Sequence, residues 1–131
     1  MQNVNASRLE TLVRAAAQAR QSGDLARALA VANQAASEKL DHPLLLRVQA
    51  EALAVAGRYG EAGQLLNRAL ALAPNDPFTI TDIGRVLVAE NRLEDAIRAF
   101  EAAVAVAPRL AAAWIELGSA RDIMGDDAGA R

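Results

Sequence analysis

The sequence predicts an all-α fold, a right-handed superhelical solenoid of antiparallel helix pairs with seven helices and a truncated eighth. The first observation is a repeat of 34 residues, because rows that start at Leu9, Pro43, Pro77 and Ala111 place similar residues in the same columns. The second is that apolar residues in each row recur at the helical period in two separate segments. A fixed period of this size is typical of stacked helix pairs that bury their apolar faces against their neighbours.

Four columns define the repeat, and each holds one class of residue. They are a large apolar column (Leu12, Leu46, Ile80, Trp114), a small column (Ala16, Ala50, Gly84, Gly118), a joint column (Gly23, Gly57, Asn91, Gly125) and an alanine column (Ala28, Ala62, Ala96, Ala130). We expect the small and alanine columns to lie where helices meet, because larger side chains would hold the axes beyond the usual separation of about 8–10 Å. Leucine in place of Ala62 or Ala96 should therefore overpack the core.

The first row spans residues 9–42 and follows a leader at residues 1–8. Ser7, with Glu10 three residues later, has the pattern of a capping box and predicts that the first helix begins there. Gly23 can take the left-handed conformation that ends a helix, and Asp24 can cap the second helix.

The second row spans residues 43–76 and divides most clearly into two helices, roughly 43–56 and 59–72. Pro43 suits the first turn of a helix, where a missing N–H costs nothing. Gly57 separates the two helices, and Pro74 follows the end of the second.

The third row spans residues 77–110, and a partial fourth row spans 111–131. Asn91 replaces glycine at the joint of the third row, and with Glu94 it also offers a capping box for the sixth helix, although one asparagine cannot serve both roles. In the fourth row, Gly125 predicts the joint and Asp126 the cap of the truncated eighth helix.

The short eighth helix has a consequence for the end of the array. A full second helix would cover Trp114 and Leu117, so we expect both side chains to lie on an exposed C-terminal face. Further repeats, another domain or a second copy of the chain would then cover this face, since solenoids normally finish with a polar capping helix.

Composition argues against several classes of function. The net charge of −2 gives no footprint for nucleic acid or an anionic membrane, and the absence of cysteine excludes disulfides, thiolate nucleophiles and cysteine metal sites. The first residues have no apolar segment of a secretory signal, and no apolar run has the length of a membrane span. We therefore expect a soluble, cytoplasmic protein.

No catalytic residue, metal ligand or cofactor is assigned. His42 is the only histidine, and it precedes a proline in a turn, so entry into a helix is its expected role. The carboxylate pairs Glu94–Asp95 and Asp126–Asp127 lie at expected helix N-termini, where the helix dipole favours negative charge.

These columns resemble the tetratricopeptide repeat family over residues 9–131. The family pattern has a large residue at repeat position 4, a small one at 8, Gly at 15, Ala at 20 and 27, a large residue at 24 and Pro at 32. The third row supplies Ile80, Ile83, Gly84, Ala96, Phe100, Ala103 and Pro108. The second row fits as well, with Leu46, Ala50, Gly57, Ala62, Leu66, Ala69 and Pro74. The first row is weaker, since Leu40 stands where proline is expected.

The resemblance implies a scaffold that binds proteins or peptides in a concave groove lined by the first helix of each pair. The groove positions of the family fall on Val13, Ala17, Arg20, Leu44, Arg47, Glu51, Phe78, Thr81, Arg85, Val88, Ile115, Ser119 and Asp122. Arg47 and Arg85, which should project into such a groove from adjacent first helices, suggest a grip on a peptide carboxylate. The alternative is local pairing, Arg47 with Glu51 and Asp82 with Arg85, which is common on helix surfaces.

One subgroup of the family binds the C-terminal carboxylates of heat-shock chaperones through lysine and asparagine at set groove positions. This chain has Val13, Ala17, Val48, Phe78 and Asp82 there, so we expect no binding of chaperone tails.

Three hypotheses about the biological role stay open. The array is expected to be the N-terminal part of a larger bacterial protein that binds a partner. Alternatively it is the non-catalytic arm of an enzyme with a glycosyltransferase, sulfotransferase or hydroxylase domain, as the resemblance allows. The third hypothesis is a module that forms homodimers through its open C-terminal end.

Overall fold

Seven helices form the regular structure of the computed structural model, which describes residues 2–129, and the side chains from Val4 to Asp126. The helices are α1 (Gln2–Gln21), α2 (Leu25–Ser37), α3 (Pro43–Val55), α4 (Tyr59–Leu72), α5 (Pro77–Ala89), α6 (Leu93–Val106) and α7 (Ala111–Gly129). No strand is present in these residues. The all-α prediction of paired helices is confirmed. Ala130 of the alanine column lies outside the described residues.

The helices divide into two compact units, which meet in sequence between Leu72 and Ala73. In the first unit α1 packs on α2, α2 and α1 both pack on α3, and α3 packs on α4. In the second unit α5 packs on α6, and α6 and α5 both pack on α7. Within each unit a first helix therefore contacts the next first helix, which is the arrangement that a tandem repeat requires.

At each joint between paired helices, one residue has a left-handed backbone conformation, and two backbone hydrogen bonds close the end of the first helix. At the end of α1, Gly23 has a φ of 80°, and the N–H of Asp24 donates to the carbonyl of Ala19 at 2.8 Å. Gly57 and Asn91 repeat this geometry at the ends of α3 and α5. These are Schellman motifs, which satisfy the last carbonyls of a helix and reverse the chain. The predicted joints are thus confirmed at Gly23, Gly57 and Asn91.

The structure resolves the two roles offered for Asn91. Its φ is 61°, so it serves as the left-handed joint, and the residue that caps α6 is Arg92, whose side chain makes no capping hydrogen bond. The predicted capping box of Asn91 and Glu94 is therefore wrong. Glu94 and Asp95 do lie in the first turn of α6, as expected from the helix dipole.

Side-chain caps begin three helices. The carboxylate of Asp24 accepts a hydrogen bond from the N–H of Arg27 at 3.0 Å, which confirms its predicted role at α2. His42 Nδ1 accepts from the N–H of Leu44 at 3.1 Å, so the histidine does serve helix entry. Sequence reasoning missed Asp76, which accepts from the N–H of Phe78 and from the hydroxyl of Thr79. Proline occupies the first turn of both α3 and α5.

The start of α1 differs from the prediction. The helix begins at Gln2, so Ser7 lies inside it and the expected cap at Ser7 is wrong. Residues 2–8 contain no proline or glycine to stop a helix from propagating toward the N-terminus. Arg8, from the expected leader, also reaches Glu38 at the end of α2 through two hydrogen bonds of 2.9 Å.

The end of the array also differs. α7 continues through Gly125 to Gly129, so within the described residues there is no joint at Gly125 and no separate eighth helix that Asp126 could cap. Glycine inside a helix costs only about 1 kcal/mol, and a break is favoured when the following segment can pack back on the helix. Only Asp126 to Gly129 follow in the described residues, and the side chain of Asp127 lies outside them.

The helix pairs meet through the small columns at Ala16, Ala50 and Gly84, as predicted, whereas Gly118 of the same column is exposed, and the prediction is wrong there. Ala28, Ala62 and Ala96 have no more than 1% of their surface exposed, and Gly84 is also buried. The ring of Phe100 in α6, the largest fully buried side chain among the described residues, lies against Gly84. The core of each unit is therefore built from alanine contacts and a few large apolar residues.

Candidate functional site

The groove positions expected from the sequence lie on two faces, one in each unit. The first face, on α1 and α3, carries Val13, Ala17, Arg20, Leu44, Arg47 and Glu51. The second face, on α5 and α7, carries Phe78, Thr81, Arg85, Val88, Ile115, Ser119 and Asp122. We use these two names below. All these residues except Thr81 are exposed or half-buried.

The first face has charges of both signs above partly buried apolar side chains. Arg20 on α1 and Glu51 on α3 lie 3.8 Å apart, so an ion pair joins the two helices without a hydrogen bond. Val13 and Leu44 are half-buried beside them. A cavity of about 290 Å³ adjoins this ion pair. The first face can therefore offer both an apolar contact and polar groups to a ligand.

The second face is organised around Arg85. Its guanidinium donates to Asp82 on the same helix at 3.1 Å and to Glu116 on α7 at 3.3 Å. The predicted local pair of Asp82 and Arg85 is confirmed, and Glu116 extends it to a link between α5 and α7. Phe78 is 51% exposed and Ile115 is 66% exposed, so the same two helices also carry two large exposed apolar side chains.

Two residues are placed differently from the prediction. Thr81 is buried, and its hydroxyl donates to the carbonyl of Pro77 at 2.7 Å, so it contributes no free polar group to the second face. Leu117 was expected on an exposed end but is 2% exposed, because it points to α6 and packs in a core cluster with Phe100 and Ala103. Leu117 is buried because its position in the repeat faces the preceding helix pair, α5 and α6.

Trp114 remains 48% exposed on α7. Its indole Nε1 donates to the carbonyl of Pro108 at 2.8 Å, which fixes one edge of the ring. The ring thus keeps a satisfied polar atom and an accessible apolar surface, a combination that is frequent at protein interfaces.

A second cavity, of about 240 Å³, lies near the end of α2 and the start of α3. Lys39, Asp41 and Arg68 border it, and the Arg68 guanidinium lies 2.9 Å from both carboxylate oxygens of Asp41. This ion pair joins α4 to the turn before α3. Its groups are engaged with one another, which indicates a structural role.

Metal centres and membrane spans are two other kinds of feature that the described residues would reveal. Nowhere in this part of the chain do three histidine or carboxylate side chains come together as metal ligands. None of the described helices combines the length and the apolar character needed to cross a membrane.

Ionic contacts lower the pKa values of two carboxyl groups that lie outside the first and second faces. The pKa of Glu38 is lowered to about 2 by hydrogen bonds from Arg8 and then from Gln34. Hydrogen bonds from Arg98 and then Arg92 lower the pKa of Asp95. Glu38 links the end of α2 to α1, and Asp95 pairs with two arginines at the start of its own helix, so both carboxylates have structural roles.

Comparison with known proteins supports the repeat assignment. The family model described as tetratricopeptide repeat matches residues 10–77 and 81–131. Mouse protein O-mannosyl-transferase TMTC1 is 36% identical over 77 residues, which are 56% of this chain and 8% of that protein. Over its matched part, this chain thus spans less than a tenth of the curated relative.

Solved structures extend the similarity to most of the chain. A mutant O-GlcNAc transferase of Thermobaculum terrenum superposes with a TM-score of 0.79 at 28% identity, and the match covers 88% of this chain and 22% of that one. The second repeat domain of human RPAP3, solved in complex with an HSP70 peptide, has a TM-score of 0.70 at 19% identity over 89% of this chain and 98% of that one. At this low identity the human structure shows similarity of fold alone.

Proposed function

The chain belongs to the tetratricopeptide repeat family, and on that premise we propose that it is a scaffold that binds a protein or peptide through the first and second faces. The observation that carries the proposal is the exposure of Phe78 on α5 and Ile115 on α7, the two helices that the ion pair of Arg85 and Glu116 joins. Aromatic and arginine side chains are enriched where protein interfaces bury their central contacts. The peptide complex of the human structural relative supports the same use of the fold.

The charges of the two faces suggest which partners are disfavoured. Arg85 already shares its guanidinium with Asp82 and Glu116, so an incoming carboxylate would compete with two groups of the same charge. At the positions where chaperone-tail binders carry lysine and asparagine, this chain has residues such as Val13, Ala17 and Phe78. The partner that we propose is therefore not an acidic chaperone tail.

A second candidate function is that of a non-catalytic arm within an enzyme. The observation that favours it is the similarity to two transferases, in which the matched region is 8% and 22% of the whole chain. The test is the reading frame that encodes these residues: a catalytic domain encoded in the same frame would support the arm, and a frame without one would oppose it.

A third candidate is self-association through α7. The exposed surface of Trp114 favours it, because a large apolar ring at the end of a repeat array can be covered by a second copy. Light scattering of the chain and of Trp114→Ser separates the cases. A wild-type dimer that becomes a monomer in the variant supports self-association, and a wild-type monomer contradicts it.

Selection of binding peptides tests the scaffold proposal directly. Random short peptides displayed on phage are selected on the purified chain, and the enriched peptides are measured by fluorescence anisotropy. We expect Phe78→Ala with Arg85→Ala to weaken binding by at least about tenfold, which corresponds to about 1.4 kcal/mol. The matched control is Leu72→Ala with Arg14→Ala, which also removes an exposed apolar residue and an exposed arginine. Equal loss in both variants would contradict the role of the second face.

A further inference from the structure

The cavity beside the first face has an apolar wall and a charged border. It opens where the end of α1, the start of α2 and the second half of α3 meet, and its volume is about 290 Å³. The wall consists mainly of Leu25, Leu29, Val48, Ala52 and Val55. The border includes Arg20 and Glu51, both of which are partly exposed.

The second unit repeats this region two rows later and provides an internal comparison. Leu93 stands at the position of Leu25 and is 8% exposed, whereas Leu25 is 55% exposed. Ile123 stands at the position of Val55 and is 42% exposed, whereas Val55 is 86% exposed. The leucine at this repeat position is therefore buried in the second unit and exposed in the first.

The residues at the corresponding positions also differ in charge, and Val48 in the wall of the first unit corresponds to Glu116 in the second. Val88 in the second unit packs against the core cluster, and the corresponding residue in the first unit is Arg20, whose guanidinium stays in contact with solvent. Ser119 likewise corresponds to Glu51. Two charged side chains in place of a valine and a serine keep the border hydrated, because burying a charge is costly. The apolar wall behind them stays accessible.

We propose that this cavity receives one aliphatic or aromatic side chain of a partner peptide, and that Arg20 and Glu51 hydrogen-bond the peptide backbone beside it. The inference rests on the proposed peptide-binding function and names the kind of residue that is recognised. A volume of about 290 Å³ lies at the lower limit of typical ligand pockets, so it suits one side chain rather than a whole helix.

The charges at the border select against a charged anchor residue. Arg20 and Glu51 are 3.8 Å apart, so a lysine that approaches Glu51 also approaches Arg20, and a carboxylate that approaches Arg20 also approaches Glu51. A peptide group is neutral and carries one acceptor and one donor. Its carbonyl complements the guanidinium and its N–H complements the carboxylate, without net charge.

The first test measures the cavity alone with small probes. N-acetyl-leucinamide, N-acetyl-phenylalaninamide and N-acetyl-alaninamide are titrated into the chain with labelled leucine, valine and isoleucine methyl groups. We expect saturable shifts at Leu25, Leu29 and Val55 with the two larger amides, and much smaller shifts at Leu93 and Ile123. The variant Ala52→Leu, which fills the cavity, should abolish the shifts. Equal shifts at the corresponding positions of both units would overturn the proposal.

The second test uses the peptides selected on the whole chain. Val55→Asp should weaken their binding by at least about tenfold, because it places a carboxylate in the apolar wall. The control Val106→Asp makes the same change at the last residue of another helix, also at an exposed site, and should change binding by less than about twofold.

The outcomes separate this inference from the proposed function. Peptides that bind but are indifferent to Val55→Asp would overturn the cavity as the anchor site and leave the peptide-binding function standing. Failure to select any binding peptide would overturn the function, and the amide titration would then decide whether the cavity recognises an apolar side chain. Light scattering of the bound state checks that the occupant is the peptide and not a second copy of the chain.

Discussion

Gly84 and Phe100 are in direct contact across the α5–α6 interface, and the contact leaves no room for a β-carbon. A Cβ built on Gly84 would lie 2.7 Å from both Cδ1 and Cζ of the Phe100 ring, and closer still to Cε1. Phe100 is fully buried, so the ring cannot move into solvent to relieve the overlap. Glycine is therefore required at position 84 because Phe100 occupies the space of a β-carbon, and not because the backbone there has a conformation that favours glycine.

Alanine at this position tests the contact. Gly84→Ala gains about 1 kcal/mol of helix propensity but overpacks the core at a cost of about 1–3 kcal/mol, so a net loss of stability is expected. Gly118→Ala is the matched control, because it changes the same repeat position in α7 where a Cβ would meet nothing within 4 Å. Chemical denaturation should show loss for the first variant and a gain for the second. Equal effects would contradict the close contact.

Leucine in the alanine column tests the packing of helix pairs. Ala96 is completely buried in α6, so Ala96→Leu should lower the free energy of unfolding by about 1–3 kcal/mol through overpacking, and Ala62→Leu should behave alike in the first unit. Ala105→Leu adds the same side chain at an exposed position of α6 and should be close to neutral. If the buried and exposed substitutions melt at the same denaturant concentration, the assigned register is wrong.

Lys39 provides a test of backbone strain. It has a φ of 58° and occupies the left-handed position after α2, where its N–H donates to Ala36 and that of Leu40 donates to Ala35. A left-handed conformation costs a residue with a Cβ about 1–2 kcal/mol, partly offset by the greater freedom of glycine in the unfolded chain. Lys39→Gly should therefore stabilise the fold by about 0.5–1 kcal/mol. Lys39→Ala keeps the strain, and a gain of the same size in that variant would refute the explanation.

Acidification tests the contact between Arg8 and Glu38. Because the folded pKa of Glu38 is about 2 and lies below its value in the unfolded chain, the ion pair stabilises the fold fully above the unfolded pKa. This contribution is lost as the pH falls from the unfolded value toward about 2. An NMR titration of the Glu38 carboxyl carbon should show the low midpoint, and Arg8→Gln should raise it. An unchanged midpoint in Arg8→Gln would mean that Arg8 is not the main cause.

Features that depend on local sequence were predicted well. Gly23 and Gly57 end their helices because only a left-handed residue can reverse the chain there with both hydrogen bonds made. The columns of small residues indicated where helices meet, because the spacing of a repeat fixes which faces are in contact. The paired helices follow from these two facts.

Features that depend on what surrounds a residue were not predicted. Gly125 has the same chemistry as Gly23, yet α7 continues through it to Gly129, so glycine alone does not end a helix. Leu25 and Leu93 are identical residues at one repeat position, and their different burial comes from neighbours on other helices. The repeat position of Thr81 predicts a residue that faces the groove, but the side chain is buried and its hydroxyl donates to the carbonyl of Pro77.

Mapping a selected peptide onto the labelled chain by NMR tests most directly whether the two faces bind a partner. Titration should shift the signals of residues on the first helix of each pair, such as Ala17, Glu51, Arg85 and Ser119, and leave exposed residues of α4 and α6, such as Gln64 and Ala102, unchanged. Shifts confined to α2, α4 and α6 would contradict the assignment, because the binding surface would then lie on the helices that carry no residue of either face.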